Sequence, residues 1–185
     1  RNLICFGGVI ISDYNTIDFM FEFCGFGILL ENKTAAEAAE KIMLLKTRLK
    51  SFNFNFGDIA PILLTDNGGE FSNATAFEND ESGNLETHLF YCEPNSPYEK
   101  PDIEKNHTLF RDIVPKGSSF DDFAQEKVDL IFSHVNAVKR KQFNGKSAYD
   151  VFTFYYSEIL ANVLGISFIP PENVIQSPRL LKTIK

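Results

Sequence analysis

The feature that most constrains this fold is a short apolar run at 59–65, Ile-Ala-Pro-Ile-Leu-Leu-Thr, followed at once by Asp66-Asn67-Gly68-Gly69. The run is too short for a helix and lacks the alternation of a half-exposed strand. It therefore predicts a strand buried on both faces, as in a parallel sheet covered by helices.

The remaining segments predict an α/β fold, a mixed sheet flanked by helices. Strand-like composition, rich in β-branched and aromatic residues, occurs at 3–6, 9–12, 19–30 and 89–92. Gly7-Gly8 is expected to separate the first two strands, and Gly25 and Gly27 to bend the third. Helical periodicity is found over 34–50, about 101–114, from 119 onward and over 147–161. The first of these helices opens on a capping-box sequence, Thr34 to Glu37, and its predicted apolar face is Ala35, Ala38, Ala39, Ile42, Leu45 and Leu49. A chain of 185 residues suggests one domain, which we expect to comprise a core over 1–165 and a C-terminal tail over 166–185.

Composition excludes several classes of protein. With 44% hydrophobic and 23% charged residues, the chain is not disordered, collagen-like or a disulfide scaffold. Cys5, Cys24 and Cys92 are odd in number and lack a CxxC spacing, so we expect reduced, buried thiols in a cytoplasmic protein. No stretch approaches the roughly 18 uncharged apolar residues that a membrane span needs.

The charge balance argues against a free-standing nucleic-acid binder. The net charge is −7 and the sequence pI is about 5.0, whereas affinity for phosphate comes mostly from basic side chains. The acidity is uneven, because residues 1–98 carry 6 Lys+Arg against 14 Asp+Glu and residues 99–185 carry 12 against 11.

Asp66 directly follows the apolar strand. In α/β proteins the carboxyl ends of the strands open into a crevice, so this position suits a reactive carboxylate. Alternatively, Asp-Asn-Gly-Gly is only a tight turn, because Asn-Gly and Asp-Gly are strong turn sequences.

Glu104 lies in the first turn of the helix predicted from Pro101. Glu104, His107 and Arg111 share one stripe of that helix, next to the apolar stripe, and together could flank a metal and a phosphate. Alternatively, Glu104 is an acid favoured by the helix dipole, and the stripe is a solvated face.

Several motifs in one order resemble the integrase-type catalytic core of bacterial insertion-sequence transposases, specifically the insertion-sequence-thirty family. They are Leu-Thr-Asp-Asn-Gly-Gly-Glu-Phe at 64–71, Phe-Tyr-Cys-Glu-Pro-Asn-Ser-Pro-Tyr at 90–98, Glu-Lys-Asn-His at 104–107 and Val-Pro-Lys-Gly at 114–117. Further matches are Leu-Glu-Asn-Lys-Thr-Ala-Ala at 30–36, the segment 136–141 and Asn-Gly-Lys-Ser at 144–147. The resemblance covers nearly the whole chain.

The resemblance implies a ribonuclease-H-like fold with an Asp, Asp, Glu triad that binds two divalent metals, Mg²⁺ or Mn²⁺. Asp66 matches the second aspartate of the triad and Glu104 its glutamate, while Asn67 and Gly68 shape the turn that presents Asp66. Hard carboxylate oxygens suit Mg²⁺, and two such ions promote in-line displacement at phosphate. The family activity is DNA strand cleavage and strand transfer.

The first aspartate of the triad is where this sequence departs from the family. The family residue lies a few positions before a Gly-Gly that aligns with Gly7-Gly8, and residues 1–12 contain no acid. The aspartate lies upstream of Arg1, is lost, or is replaced by Asp13 or Asp18. A core without this ligand would bind metal weakly.

The resemblance also implies DNA as partner, both transposon ends and target, with a homodimer or larger assembly on DNA. We expect Lys105, His107 and Arg111 to face DNA phosphate or the metal ligands. The basic run Lys139-Arg140-Lys141 with Lys146 either contacts phosphate or is an ordinary solvated helix end. Two other readings are a catalytically impaired domain that serves as an assembly module, and a metal-dependent nuclease of the same fold.

Overall fold

The computed structural model describes residues 6–9, 16–21, 24–32, 34–65, 68–91, 101–120 and 123–183. In chain order the strands are β1 (Phe6–Val9), β2 (Thr16–Phe21), β3 (Cys24–Leu29), β4 (Ile62–Thr65) and β5 (His88–Tyr91). The helices are α1 (Ala35–Ser51), α2 (Phe56–Ile59), α3 (Ala74–Glu78), α4 (Pro101–Ile113), α5 (Gln125–Ala137), α6 (Ala148–Tyr155), α7 (Glu158–Val163) and α8 (Leu180–Thr183).

The parallel sheet predicted from the apolar run is confirmed, but full burial on both faces is not, because Leu63 and Thr65 are buried while Ile62 and Leu64 are half-buried. Strand β4 is central, with β1 parallel on one side and β5 parallel on the other. Thr65, the last residue of β4, lies opposite Val9 and Tyr91. Strands β2 and β3 form an antiparallel pair, and β2 contacts β1. The carboxyl ends of three parallel strands therefore meet at one edge, immediately before Asp66.

Helix α1 forms where the capping sequence predicts it. Thr34 Oγ1 accepts a hydrogen bond from Glu37 N–H at 3.2 Å. The Glu37 carboxylate accepts from the backbone N–H groups of Glu31 and Asn32, each at 2.7 Å. The stripe buried against the core consists of Ala38, Ile42, Leu45 and Leu49, which confirms most of the predicted apolar face.

Three strand predictions are wrong in detail. Gly7-Gly8 lies inside β1 and does not separate two strands, while residues 3–5 and 10–12 lie outside the described residues. The segment 19–30 is not one bent strand, because the chain reverses between Phe21 and Cys24, which face each other across the β2–β3 pair. The run 59–65 begins as the end of α2, and the strand starts after Pro61, which lacks the N–H that a strand ladder needs.

Two helix predictions also need correction. Helix α5 begins at Gln125 and not at 119, although Phe120 in the preceding loop is still buried against α4 and α5. The helix predicted over 147–161 is two helices, α6 and α7. Helix α6 ends at Tyr155. Ser157 then caps the start of α7, because its hydroxyl accepts a hydrogen bond from Leu160 N–H at 3.0 Å.

Helix α5 lies along the outer edge of β3 and makes the hydrogen bonds that another strand would otherwise make. The Asn136 side chain accepts from Gly25 N–H at 3.0 Å and donates to Gly25 C=O at 2.6 Å. Towards the start of the helix, Gln125 donates to Gly27 C=O at 2.7 Å and accepts from Leu29 N–H at 2.8 Å. Two side-chain amides thus satisfy this edge, which prevents strand addition there.

The C-terminal segment packs against the rest of the chain. Ile166 and Leu180 are both buried, the latter among the apolar residues of α4 and α5. The His134 Nδ1 atom of α5 accepts from Ile175 N–H at 3.1 Å. The division into a core over 1–165 and a tail over 166–185 stays a prediction.

Two expectations from composition can be compared with the described part of the chain. Cys24 is buried, and burial raises the pKa of its thiol, whereas Cys5 and Cys92 lie outside the described residues. None of the described helices is both long and apolar enough to cross a membrane.

Asp129 on α5 is a half-buried carboxyl group beside the edge of β3. Gln125 Nε2 donates to Asp129 Oδ1 at 2.8 Å. Burial raises the pKa of the Asp129 carboxyl from 3.8 to about 6, and the Gln125 hydrogen bond and the Arg48 charge lower it only in part. The folded protein therefore holds a proton there that the unfolded chain releases above pH 4.

We expect Asp129→Asn to stabilise the protein at pH 7 and to have little effect at pH 4. Ionisation of the half-buried carboxyl reduces the stability of the wild type as the pH rises from about 4 to about 6, and asparagine does not ionise. Urea denaturation across this pH range measures the difference. Asp112→Asn, at an exposed position of α4, is the control. A pH-independent effect of Asp129→Asn would contradict the prediction.

Candidate active site

Asp66 follows the central strand of the parallel sheet. The described chain stops at Thr65 and resumes at Gly68, so Asp66 and Asn67 lie outside the described residues. Thr65 is fully buried at the end of β4. Chain connectivity alone puts the predicted carboxylate directly after the edge at which β1, β4 and β5 end.

The turn after this edge is attached to the neighbouring strand. Residues Gly69–Phe71 form a short 3-10 turn, and the Phe71 side chain is buried in the core. The Tyr91 hydroxyl at the end of β5 donates to Phe71 C=O at 2.7 Å. The backbone that leaves the candidate site is therefore held on the sheet.

Helix α4 carries the second predicted carboxylate in its first turn. Glu104 and Lys105 belong to this helix, whose side chains are described from Asn106 onward. The helix contacts β1 and α5. Of the other predicted residues on α4, His107 is half-buried and Arg111 is exposed.

A buried hydrogen bond fixes α4 two residues after Glu104. Arg140 Nη2 donates to Asn106 Oδ1 at 2.6 Å, and these two side chains are 5% and 3% exposed. Asn106 also lies against Gly25, where a Cβ atom would approach Asn106 Nδ2 to 3.1 Å. Glycine at position 25 thus lets β3, α4 and α5 pack closely around these polar groups.

The position of Arg140 corrects one predicted DNA contact. We expected Arg140 on the surface with its neighbours, but its guanidinium is directed into the protein interior and bonded to Asn106. A buried guanidinium stabilises the packing of α4 and is not available to phosphate. Lys139, Lys141 and Lys146 are exposed, as a phosphate contact requires.

The basic run directly follows the C-terminal end of α5 and lies outside the helix, with Lys141 opening a 3-10 turn over Lys141–Phe143. Helix α5 ends at Ala137. Residues 139–147, here called the basic loop, turn back on themselves, with Arg140 N–H donating to Lys146 C=O at 2.9 Å. The reversal uses two residues with positive φ, Asn144 at 53° and Gly145 at 81°, a conformation that these residue types tolerate.

The described residues do not complete a metal site by themselves. No cluster of three or more His, Cys, Asp or Glu side chains occurs among them. The described strand β1, Phe-Gly-Gly-Val, contains no acid. Asp18 is part of β2, opposite Gly27, and Asp13 lies outside the described residues.

Sequence reasoning missed the residues that hold α4 and β3 in place. Asn106, Gln125 and Asn136 were not predicted to have a structural role, yet each makes a buried or half-buried contact between elements. The sequence feature that indicates such a structural role is an amide side chain among the apolar residues of a helix. Asn136 directly follows Val135 and is fully buried, a position where an amide needs bonded partners.

Comparison with known proteins identifies a structural match and two relatives by sequence. No family model matches the chain. The catalytic core domain of BIV integrase superposes with a TM-score of 0.52 and 16% identity, covering 80% of this chain and 93% of that one. The chain has the ribonuclease-H-like fold of an integrase catalytic core. This confirms the fold class predicted from the sequence.

The relatives by sequence are named as an integrase and a transposase. A putative integrase, ORF3, of Spiroplasma virus SpV1-R8A2 B is 32% identical over 129 residues, which is 69% of this chain and 37% of that protein. The transposase for insertion sequence element IS1086 of Cupriavidus metallidurans is 31% identical over 74 residues, 40% of this chain and 21% of that protein. The chain spans about a third of the length of the first relative and about a fifth of the length of the second.

We expect Arg140→Met to destabilise the core and Lys141→Met to leave its stability unchanged. The first substitution removes the charged hydrogen-bond partner of the buried Asn106 amide, which should lower the free energy of unfolding by about 3 kcal/mol. The second replaces an adjacent exposed lysine, so the change should stay within about 0.5 kcal/mol. Urea denaturation measures both. Equal, small effects would show that Arg140 is not a structural residue.

Proposed function

We propose that this chain is the catalytic core of a DNA transposase of the insertion-sequence-thirty type, which cleaves DNA strands and transfers them during transposition. The observation that carries the proposal is the integrase-core fold, in which the central parallel strand ends immediately before Asp66 and a helix beginning at Pro101 carries Glu104. The names of the two relatives by sequence support the same class of function.

In this proposal Asp66 and Glu104 hold Mg²⁺ or Mn²⁺, with two ions when the third carboxylate is present. Carboxylate oxygens are the donors that these hard cations prefer. Bound metal would stabilise the negative charge of the attacking and leaving oxygens during in-line displacement at phosphorus. Asp66 contributes from the end of the sheet, and Glu104 from a helix attached to the interior through the Asn106–Arg140 hydrogen bond.

DNA, as transposon ends and target, is the proposed partner, bound by a homodimer or larger assembly in the cytoplasm. Lys105, His107 and Arg111 follow Glu104 along α4 and could contact phosphates near the metal ligands. Lys139, Lys141 and Lys146 add positive charge from the basic loop, which is joined to α4 by Arg140.

One observation favours a second candidate, a catalytically impaired domain that acts in assembly. In the parallel register Val9 lies opposite Thr65, so the described part of β1 beside Asp66 carries no carboxylate. A site with only two carboxylates would hold metal weakly. A nuclease of the same fold is the third reading, distinguished by cleavage of DNA without strand transfer.

We expect Asp66→Asn and Glu104→Gln each to weaken Mn²⁺ binding at least tenfold and to abolish Mn²⁺-dependent DNA nicking. Each substitution removes one negative charge from the ligand set while keeping the shape of the side chain. Titration with Mn²⁺, followed by its electron paramagnetic resonance signal, measures affinity. Nicking of supercoiled plasmid measures activity.

Asp112→Asn is the matched control, because it removes an exposed carboxylate from the same helix and should leave both measurements unchanged. Retained nicking in both Asp66→Asn and Glu104→Gln would contradict the proposed site. Wild-type protein that folds and binds DNA but does not nick it would favour the assembly module.

A further inference from the structure

Two large aromatic side chains at the end of α6 are directed into solvent. Phe154 is 79% exposed and Tyr155 67% exposed, whereas Tyr149 and Phe152 on the same helix are buried in the core. The two exposed rings meet edge to face, with centroids 5.3 Å apart. One side of α6 thus supplies the core, and its C-terminal end presents a pair of aromatic faces.

One lysine contacts this aromatic pair, and two more are exposed in the same loop. Lys146 Nζ lies 5.9 Å from the centroid of the Phe154 ring, a cation–π contact. Lys139 and Lys141 are exposed in the same basic loop, and a β-bridge between Lys139 and Ser147 holds the two ends of the loop together at the start of α6. The three lysines and the two rings are here called the aromatic–lysine platform.

Two acidic residues lie close in sequence to the exposed aromatic pair, Asp150 before it and Glu158 after it. Asp150 precedes Phe154 by one turn of α6, but its carboxylate accepts the Ser147 N–H at 2.8 Å and caps the helix. Glu158 is exposed at the start of α7. In a chain with a net charge of −7, a surface with three exposed lysines points to an anionic partner.

The platform is also attached to the helix of the proposed active site. Arg140 extends from the basic loop into the interior and donates to Asn106, two residues after Glu104 on α4. The other side chains of the loop remain on the surface. The basic loop and α4 are therefore joined through the interior of the protein.

We propose that the aromatic–lysine platform binds single-stranded DNA next to the active site. The proposal rests on the proposed function and specifies that the DNA bound at this surface is single-stranded. Lysines bind phosphates of either single-stranded or duplex DNA, but exposed aromatic faces stack only on bases that are not already paired and stacked. An apolar protein partner would gain nothing from Lys146 and the other exposed lysines of the basic loop.

The test is fluorescence anisotropy of a labelled oligothymidine of twenty nucleotides and of a labelled duplex of the same length. Each is titrated with the whole chain in buffer that contains EDTA. We expect tighter binding of the oligothymidine and a loss of about tenfold in affinity for Phe154→Ala and for Tyr155→Ala. Phe154→Tyr should bind like wild type, and Phe154→Leu, which keeps apolar surface without a π face, should bind like Phe154→Ala.

Two further sets of variants complete the test. Lys141→Gln and Lys146→Gln should each reduce the slope of log affinity against log salt by about 0.7, the value for one phosphate contact on a single strand. Phe52→Ala, which removes an aromatic side chain of 52% exposure from another part of the surface, is the control and should bind like wild type.

Unchanged affinity in Phe154→Ala and Tyr155→Ala would overturn the proposal, and so would equal binding of duplex. Loss of self-association in Phe154→Ala with unchanged DNA binding would also overturn it, in favour of a contact between two copies. Because the assay contains no free metal, Asp66→Asn and Glu104→Gln should bind normally. Failure of the platform is therefore distinguishable from failure of the catalytic proposal.

Discussion

The rest of the structure depends on the hydrogen bonds between α5 and the edge of β3. The outer edge of the β2–β3 pair would otherwise expose backbone N–H and C=O groups, and Asn136 and Gln125 bond to these groups from opposite ends of α5. Glycine at position 25 is part of the same arrangement, because it leaves room for Phe132 and Asn106 against the strand. A helix fixed in this way cannot slide along the sheet without losing several buried hydrogen bonds, each costly to leave unmade.

The same buried polar groups position the proposed active site. From the end of α5 the chain enters the basic loop, and Arg140 returns from that loop to Asn106 on α4. Helix α4 is thus held by β1 on one side and by α5 with its following loop on the other. The Glu104 position is consequently set by interior contacts two residues away. The loop that makes these contacts also presents Lys139, Lys141 and Lys146 outward, so one short segment serves both packing and charge.

Local patterns predicted the elements whose cause is local, and failed where distant residues decide. The cap and apolar stripe of α1 and the existence of strand β4 depend on neighbours in sequence, and both were predicted. Lys46 interrupts that stripe, yet it is buried because its ammonium donates to two backbone carbonyls, those of Phe77 and Asn79, and pairs with Glu86. Arg140 was missed for the same reason, because a run of basic residues does not indicate which of them is buried against a hydrogen-bond partner. The β2–β3 turn was missed because its reversal is not marked by a strong turn sequence.

The central claim is that an integrase-like core brings Asp66 and Glu104 together to hold divalent metal. Fold, strand order and helix placement are consistent with that claim. Crystals of the protein soaked in Mn²⁺ would test it most directly through the anomalous scattering of the metal. The account predicts an anomalous peak coordinated by both the Asp66 and the Glu104 carboxylates at the carboxyl end of β4. Carboxylates on opposite sides of the domain, or Mn²⁺ bound to neither of them, would contradict it.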